Sequence, residues 1–374
     1  MRAFTTTRFA HPCRLLAVLL LLVATVGCAS VGPVVPTQGV VDDEIDGLVQ
    51  AALTEQAIVG AAVGVVHRGE FVHLQPYGSL DRDGTEPVTL DSRFRWASVS
   101  KPLTAVAALQ LVEAGELDLD TRAGDVLPYW PGDADDPDAQ RKARVTVEHL
   151  LGHRGGVHHY GQGNDESPGP FAWDRTLHDD ERWNAEQSVA VFAAAPLVFA
   201  PGDGFRYTTF GFNLLGAVVE EVSPAGYEAW VAAHVAGPAG MTSLRPARDD
   251  YRGYWRDDNG RVFQAREAET WYKLPGGAWS SNVADGLRFA DGLLRGTFLA
   301  ETTLWPAGSA ADSDYHHGIS HDAGRAWHSG GQAGVRSFMA LRTDDGIGVV
   351  IFANSRWADL DDLAWKIADA VARR

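Results

Sequence analysis

The sequence predicts a mixed α/β (α+β) fold, in which both chain ends build one antiparallel sheet, flanked by helices, and a mostly helical domain is inserted between them. Two groups of β-rich segments support this prediction, one near residue 60 and the other after residue 320. The long stretch between them has the pattern of short helices separated by Pro- and Gly-rich breaks. Strands at both ends with helices between them favour a sheet completed by both termini.

The N-terminal elements follow from hydrophobic spacing. Asp42–Gln56 carries apolar residues at helical spacing, which predicts an amphipathic helix. Two apolar runs, Ala61–Val66 and Phe71–Leu74, flank the turn-like segment His67–Glu70. Short β-branched runs around a Gly-containing turn are typical of a β-hairpin, and we predict one here.

The C-terminal elements complete the predicted sheet. Val335–Leu341 and Ile347–Phe352 have strand composition, and the turn residues Thr343–Gly346 join them. A final helix is predicted over Ala358–Val371. Helical candidates in the middle of the chain are Val147–Leu151, Ala185–Ala195, Phe212–Val222, Tyr227–Val235 and Val283–Leu294. We therefore predict a sheet domain made of residues 42–125 and 320–374, with an insertion domain over residues 126–319.

Composition limits the possible partners. The chain has 374 residues, 45% of them hydrophobic, and a formal net charge of −17. Such a surface repels nucleic acid and anionic lipid, so neither is expected as a partner. The simplest interpretation of the charge is solubility. Any contact with a membrane is expected only through a lipid anchor at the N-terminus.

The first residues have the features of an export signal. Basic residues precede the apolar run Leu15–Val26, which is too short to span a bilayer. Small residues before Cys28 resemble a bacterial lipoprotein cleavage site, with lipid on the Cys28 thiol. Thr25 stands where such sites usually have Leu, so ordinary secretory cleavage nearby is the alternative. We predict a signal peptide over residues 1–27, a tether over residues 28–41, and a place in the cell envelope or periplasm.

Cysteine usage excludes both disulfides and thiol chemistry from the predicted mature domain. Cys13 and Cys28 are the two cysteines of the chain, and both lie in or beside the predicted leader. No disulfide, cysteine nucleophile or thiolate zinc site is therefore expected in the mature domain.

One short segment carries the strongest chemical signal. Pro102 is tolerated in the first turn of a helix, so a helix should begin near Ser98. Ser98 and Lys101 then lie on one face within reach of each other. A serine hydroxyl needs an adjacent base, and a lysine desolvated in a cleft can supply it. Taken alone, Ser-x-x-Lys is also compatible with a helix-capping serine beside a solvated lysine.

The wider sequence context resembles a known family. Three motifs occur in order: Ser98-Val99-Ser100-Lys101, Tyr207-Thr208-Thr209 and His328-Ser329-Gly330-Gly331. Together with Leu150–Val157 and Gly276–Ser281, they resemble the penicillin-recognising serine hydrolases: serine β-lactamases, D-alanyl-D-alanine carboxypeptidases and related esterases. The segments Ser98–Thr104, Glu113–Asp120 and Gly155–Tyr160 look like the mitochondrial serine β-lactamase-like branch and its bacterial relatives. The resemblance covers roughly Asp42 to Ala370.

The resemblance implies a role for each matching position. Ser98 would be acylated, and Lys101 and Tyr207 would share the general-base work and later protonate the leaving group. Thr209 stands where the family usually has an Asn that bridges the substrate and the lysine. The backbone N–H groups of Ser98 and Gly331 would form the oxyanion hole.

The third motif departs from the family pattern. Where many members have Lys-Thr-Gly, this chain has His328, Ser329 and Gly330. A mostly neutral His328 would hold a substrate carboxylate less well, which argues against a dedicated β-lactamase. Ser329 and Gly330 would line the substrate site together with Thr209 and Gly331.

Neither a metal nor a cofactor is expected. His153, His158 and His159 lie close together, but no carboxylate follows the His-Glu-x-x-His spacing, so we expect a loop with solvent-facing imidazoles. The leading hypothesis is a serine hydrolase that acts on a small peptide or ester through an acyl-enzyme. A weak β-lactamase and a non-catalytic envelope scaffold of the same fold are the alternatives. The sequence leaves the oligomeric state open.

Overall fold

The computed structural model describes residues 42–130, 136, 138–160, 183–247, 251–265, 271–304 and 314–374. The predicted signal peptide and tether, including Cys28, lie outside these residues, so their assignments stay predictions. Among the residues described, no helix is both long and apolar enough to cross a membrane.

Twelve strands are described, in three sheets. In chain order they are β1 (Gly60–His67), β2 (Glu70–Gly78), β3 (Phe94–Arg95), β4 (Arg245–Pro246), β5 (Tyr254–Arg256), β6 (Val262–Gln264), β7 (Trp279–Ser281), β8 (Tyr315–His316), β9 (Ile319–Asp322), β10 (Arg325–Gln332), β11 (Val335–Arg342) and β12 (Ile347–Ala353).

The described α-helices are α1 (Asp43–Gln56), α2 (Ser100–Glu113), α3 (Ala123–Val126), α4 (Ala139–Lys142), α5 (Val147–Leu151), α6 (Ala185–Ala190), α7 (Thr209–Val222), α8 (Tyr227–Trp230), α9 (Gly237–Ala239), α10 (Leu274–Gly277), α11 (Val283–Leu294), α12 (Glu301–Leu304) and α13 (Asp361–Ala372). Two 3₁₀ turns, Ala97–Val99 and Trp271–Lys273, and a π-helical turn, Val231–Ala236, complete the list.

The large sheet joins the two ends of the chain. Its seven strands run in the order β2-β1-β12-β11-β10-β9-β8, and every neighbouring pair is antiparallel. Strand β1 pairs with β12 from Ala61↔Ala353 to His67↔Ile347. The predicted fold class is therefore confirmed, including the sheet built from both termini.

Each face of this sheet packs against helices. Val63 and Ile351 lie on the face covered by α1 and α13, where Ile45 and Ile367 are fully buried. The opposite face packs on α11 and, at β10 and β11, on the 3₁₀ turn Ala97–Val99. Because burying one such aliphatic side chain contributes about 1.5–3 kcal/mol, the two apolar layers hold the sheet between the helices.

Several helix boundaries differ from the predicted ones. Helix α6 ends at Ala190 instead of Ala195, and the last helix begins at Asp361 instead of Ala358. Helix α7 begins at Thr209, three residues before the predicted Phe212, because the Thr208 side chain caps it by accepting the N–H of Gly211. Helix α5 and helix α11 have the predicted bounds. The division into a sheet domain and an insertion domain stays a prediction.

Strand β10 is the element that faces the site. Strand β9 pairs with its first three residues, Arg325–Trp327. Within the described residues the ladder then stops, so the backbone edge from His328 to Gln332 has no strand beside it on that side. An unpaired strand edge exposes N–H and C=O groups that can bind an extended ligand.

Candidate active site

Ser98 lies in the 3₁₀ turn that leads into α2. The residue before it, Ala97, has a φ of 46°, a left-handed conformation that costs a non-glycine residue about 1–2 kcal/mol. Ser98 itself is half-buried, so its hydroxyl can be reached from outside. The turn therefore presents Ser98 at the start of a helix, where backbone N–H groups are available for an anion.

Lys101 lies one helical turn below Ser98 and has no exposed surface. Its Nζ is 2.9 Å from Ser98 Oγ, 3.2 Å from Thr209 Oγ1 and 2.8 Å from the carbonyl oxygen of Gly276. A neutral amine has two N–H groups and one lone pair. It can donate to Gly276 and Thr209 while it accepts the hydroxyl proton of Ser98.

The surroundings favour that neutral form. Burial lowers the pKa of Lys101 well below its usual value, and the nearby positive charge of Lys273 lowers it further. Lys273 is itself buried, with its amine 5.5 Å from the ring centre of Tyr160. Desolvation and a neighbouring cation are the two effects that convert a lysine into a base at moderate pH.

Tyr207 completes the group around the Ser98 hydroxyl. It is half-buried just before α7, and its ring centre lies 4.7 Å from Lys101 Nζ. Burial raises the pKa of the Tyr207 phenol, while the nearby Ser98 hydroxyl acts in the opposite direction. The phenol is therefore protonated at neutral pH and able to donate a proton.

Thr209 is the first residue of α7 and faces Lys101. A close approach of α10 to α7 brings the Gly276 carbonyl to the same amine. A Cβ at Gly276 would come within 2.6 Å of Thr209 Cγ2 and 2.9 Å of Asn213 Oδ1, so this position requires glycine.

Strand β10 borders the site on its other side. Gly330 lies against the Ser98 turn, because a Cβ there would collide with Ser337 Oγ and come within 2.5 Å of the Trp96 carbonyl oxygen. Ser337 Oγ donates to that same carbonyl at 2.6 Å. The missing side chain of Gly330 thus lets the strand edge approach the Ser98 turn, and Gly331 is the next residue along that edge.

His328 is held as a neutral imidazole. Its Nδ1 is 2.7 Å from the carbonyl oxygen of Ser329, and its Nε2 is 3.1 Å from the hydroxyl of Tyr315. A carbonyl can only accept, so Nδ1 carries the proton and Nε2 accepts from Tyr315. Burial lowers the pKa of His328 to about 3.

The structure thus brings the predicted residues together from three separate parts of the chain. Lys101 Nζ contacts Ser98 Oγ and Thr209 Oγ1, the ring of Tyr207 lies beside the same amine, and the ring of His328 lies 6.1 Å from that of Tyr207. Ser329 contributes its carbonyl to His328.

Two features of the site differ from the sequence analysis. The expected loop of solvent-facing imidazoles is wrong, because His153 is 1% exposed and His159 is largely buried. Both imidazoles accept backbone N–H groups at the start of α7, a role that histidine spacing alone does not indicate. Two contacts of the site are not predictable from the sequence. Tyr315, which binds His328, lies in a short strand without any motif. The Gly276 carbonyl, which binds Lys101, belongs to a Gly-Gly turn whose motif does not indicate this contact.

Known proteins resemble this chain in sequence. The model of the Beta-lactamase family matches residues 45–372. Esterase EstB of Burkholderia gladioli is 36% identical over 205 residues, which cover 53% of this chain and 49% of EstB. The human mitochondrial serine beta-lactamase-like protein LACTB is 25% identical over 295 residues, covering 63% of this chain and 53% of LACTB. The chain therefore spans about half the length of these curated relatives.

A solved structure extends the likeness to the whole fold. The penicillin binding protein from Bacillus halodurans aligns with a TM-score of 0.66 at 26% identity, over 87% of this chain and 99% of that one.

Proposed function

Because the chain belongs to the beta-lactamase family of serine hydrolases, which includes esterase and penicillin-binding relatives, we propose that it hydrolyses ester or peptide bonds through an acyl-enzyme on Ser98. The observation that carries the proposal is the contact between Ser98 Oγ and Lys101 Nζ at 2.9 Å, with the amine fully buried. A half-buried hydroxyl beside a desolvated amine is the arrangement that nucleophilic catalysis by serine requires.

In the acylation step, Ser98 Oγ attacks the substrate carbonyl carbon while its proton moves to Lys101 Nζ. The carbonyl oxygen gains negative charge, which the N–H groups of Ser98 and Gly331 would stabilise. As the tetrahedral intermediate collapses, the bond to the leaving group breaks. The leaving alcohol or amine takes a proton from the Tyr207 hydroxyl, and the proton on Lys101 replaces it.

In the deacylation step, a water molecule attacks the ester carbonyl of the acyl-enzyme. The same buried amine takes one proton of that water. The acid product leaves when the bond between its carbonyl carbon and Ser98 Oγ breaks, and Lys101 passes the proton to Ser98 Oγ. The hydroxyl of Thr209, 3.2 Å from Lys101 Nζ, keeps the amine directed at the reacting atoms in both steps.

The neutral state of His328 supports a substrate class. Both ring nitrogens of His328 are occupied by Ser329 and Tyr315, so the strand offers no cation at the position where many family members have lysine. A leaving group that bears a carboxylate would lose a charge-assisted contact worth about 1.5–3 kcal/mol. We therefore expect uncharged esters and amides to be the preferred substrates. β-Lactams and D-Ala-D-Ala peptides carry that carboxylate and should be hydrolysed less well.

Intact mass spectrometry after treatment with a fluorophosphonate tests the proposal. One adduct should form on the wild-type chain and be lost in Ser98→Ala. Ser100→Ala, which removes a buried neighbouring hydroxyl, should keep the adduct. Parallel assays with short acyl esters, D-Ala-D-Ala peptides and nitrocefin should show turnover mainly of the esters. An adduct that persists in Ser98→Ala, or no reaction with any acylating probe, would disprove the proposed function.

A further inference from the structure

We propose that His153 is a positioning residue for Tyr207, and that it acts as a neutral imidazole whose Nδ1 holds the backbone of the segment carrying the phenol. This inference rests on the proposed function, since Tyr207 matters to catalysis only if Ser98 is acylated. It concerns a residue that does not touch the reacting atoms in the mechanism above.

His153 holds the chain on both sides of Tyr207. The N–H of Arg206 donates to the His153 carbonyl oxygen at 2.9 Å, and the N–H of Thr208 donates to His153 Nδ1 at 3.2 Å. The residues immediately before and after Tyr207 are therefore bound to one and the same residue. Two such bonds fix the direction in which the Cα–Cβ bond of Tyr207 points.

The ring of His153 also packs on the phenol ring. Its centre is 4.3 Å from that of Tyr207 and 4.6 Å from that of Tyr315, and 1% of the residue is exposed. Phe212, inside α7, closes the other side at 5.0 Å. A side chain enclosed in this way has one rotamer available, so the contact with Tyr207 is rigid.

The hydrogen-bond inventory of the imidazole fixes its tautomer. Because Nδ1 accepts the N–H of Thr208, the ring proton lies on Nε2. Nε2 is buried and has no hydrogen-bond partner among the described residues. An unsatisfied buried donor costs about 1–3 kcal/mol, which a phenylalanine of similar size would avoid. An imidazole is therefore favoured over a phenyl ring at this position only because its Nδ1 accepts the N–H of Thr208.

The backbone of His153 is strained as well. Its φ of 56° lies in the left-handed region, which a residue other than glycine or asparagine adopts at a cost. A strained backbone and an unsatisfied donor both reduce the stability of the folded protein. Such features are found mainly at residues that serve a functional site. Burial also lowers the pKa of His153, which keeps the imidazole neutral as the acceptor role requires.

A second histidine of the same loop supports the assignment. His159 Nδ1 accepts the N–H of Thr209 at 3.1 Å, so two imidazoles receive consecutive N–H groups at the start of α7. The loop from His153 to His159 therefore sets the position of both Tyr207 and Thr209 relative to Lys101.

Two matched variants test the role of Nδ1. In His153→Asn, the side-chain oxygen occupies the place of Nδ1 on Cγ, and asparagine tolerates the left-handed backbone. In His153→Gln, the amide lies further out, near the place of Nε2, and no acceptor remains for Thr208. With a chromogenic ester we expect His153→Asn to keep kcat within about threefold of wild type. His153→Gln should lose about 10²-fold in kcat with KM little changed, because a misplaced proton donor affects the transition state.

A double mutant separates positioning from general damage. In the Tyr207→Phe background, His153→Gln should cause no further loss of kcat, because its effect passes through the missing hydroxyl. Equal activity of the Asn and Gln variants, or a full additional loss in the double mutant, would overturn the proposal.

An NMR measurement decides the tautomer whether or not turnover is observed. The ¹⁵N spectrum of His153, assigned with the His153→Gln variant, should show an unprotonated Nδ1 and a protonated Nε2 at pH 7. A protonated Nδ1 contradicts the inference. Absence of turnover and of fluorophosphonate labelling in the wild type would instead disprove the proposed function, so the two failures are distinguishable.

Discussion

The hydroxyl of Tyr315 lies 3.1 Å from Nε2 of His328 and donates a hydrogen bond to it. Because Nδ1 of the same ring donates to the Ser329 carbonyl, the imidazole has no ring nitrogen left for a substrate anion. The position that supplies a positive charge in many family members is thus filled here by a neutral group inside a hydrogen-bonded chain. Three of the four predictions below follow from the neutral state of His328 or from the neutral amine of Lys101 acting as the base.

The first prediction concerns substrate preference. His328→Lys should raise kcat/KM for a substrate whose leaving group carries a carboxylate, relative to the matched neutral ester, by about fivefold to tenfold, since a charge-assisted contact replaces a neutral one. Paired assays with the two substrates measure the ratio. His328→Gln is the control, because it changes the side chain without adding charge and should leave the ratio unchanged. An equal gain in both variants would mean that charge at this position does not select the leaving group.

The second prediction concerns Lys101 as the base. Lys101→Met keeps an unbranched chain of similar length and removes the amine, so acylation of Ser98 should slow by about 10²–10⁴-fold. The free energy of unfolding should stay within about 2 kcal/mol of wild type, because relief of amine desolvation offsets the hydrogen bond that Gly276 loses. Fluorophosphonate labelling rates and urea unfolding measure the two effects. A labelling rate within threefold of wild type in a folded variant would remove Lys101 from the mechanism.

The third prediction concerns pH. The neutral amine of Lys101 is the base, so kcat/KM should increase with pH as the amine loses its proton. Since burial and Lys273 lower the pKa of Lys101, this rising limb should lie well below the usual lysine value of 10.5. His328, with its pKa lowered to about 3, stays neutral throughout and should add no limb between about pH 5 and pH 8. His328→Gln should therefore keep the limb in place, whereas flat rates from about pH 5 to about pH 9 would contradict the assignment.

The fourth prediction concerns two adjacent glycines on β10. Gly330→Ala should lose about 1–3 kcal/mol of stability and most labelling, because its Cβ meets Ser337 Oγ and the Trp96 carbonyl. For stability, Gly331→Ala is the matched control, since its Cβ meets only the ends of flexible side chains, at 3.2 Å from Arg336 Nη1 and 3.3 Å from Arg356 Cζ. Denaturant unfolding compares the stability of the two variants, and labelling is measured for Gly330→Ala. Similar losses in both variants would show that the close approach of Gly330 to the Ser98 turn is not what makes glycine necessary.

Local features of the site were predictable from the sequence. Ser98 and Lys101 lie three residues apart in one helical turn, so their contact depends on local geometry that Pro102 and the following apolar residues already indicated. The hairpin of β1 and β2 and the bounds of α5 and α11 follow in the same way from spacing and turn residues.

The remaining features were decided by tertiary structure. The Gly276 carbonyl reaches Lys101 Nζ across 175 residues of sequence, and the Tyr315 hydroxyl reaches His328 from a two-residue strand that has no motif. His153 looked like part of a solvated loop, yet the start of α7 packs over it and uses its imidazole as an acceptor. Periodicity and spacing determine contacts within one element, because the backbone fixes them there. Contacts between elements depend on how separate elements pack. The protonation states, the tautomers and the burial of the site residues therefore follow from the packing of the helices on the sheet.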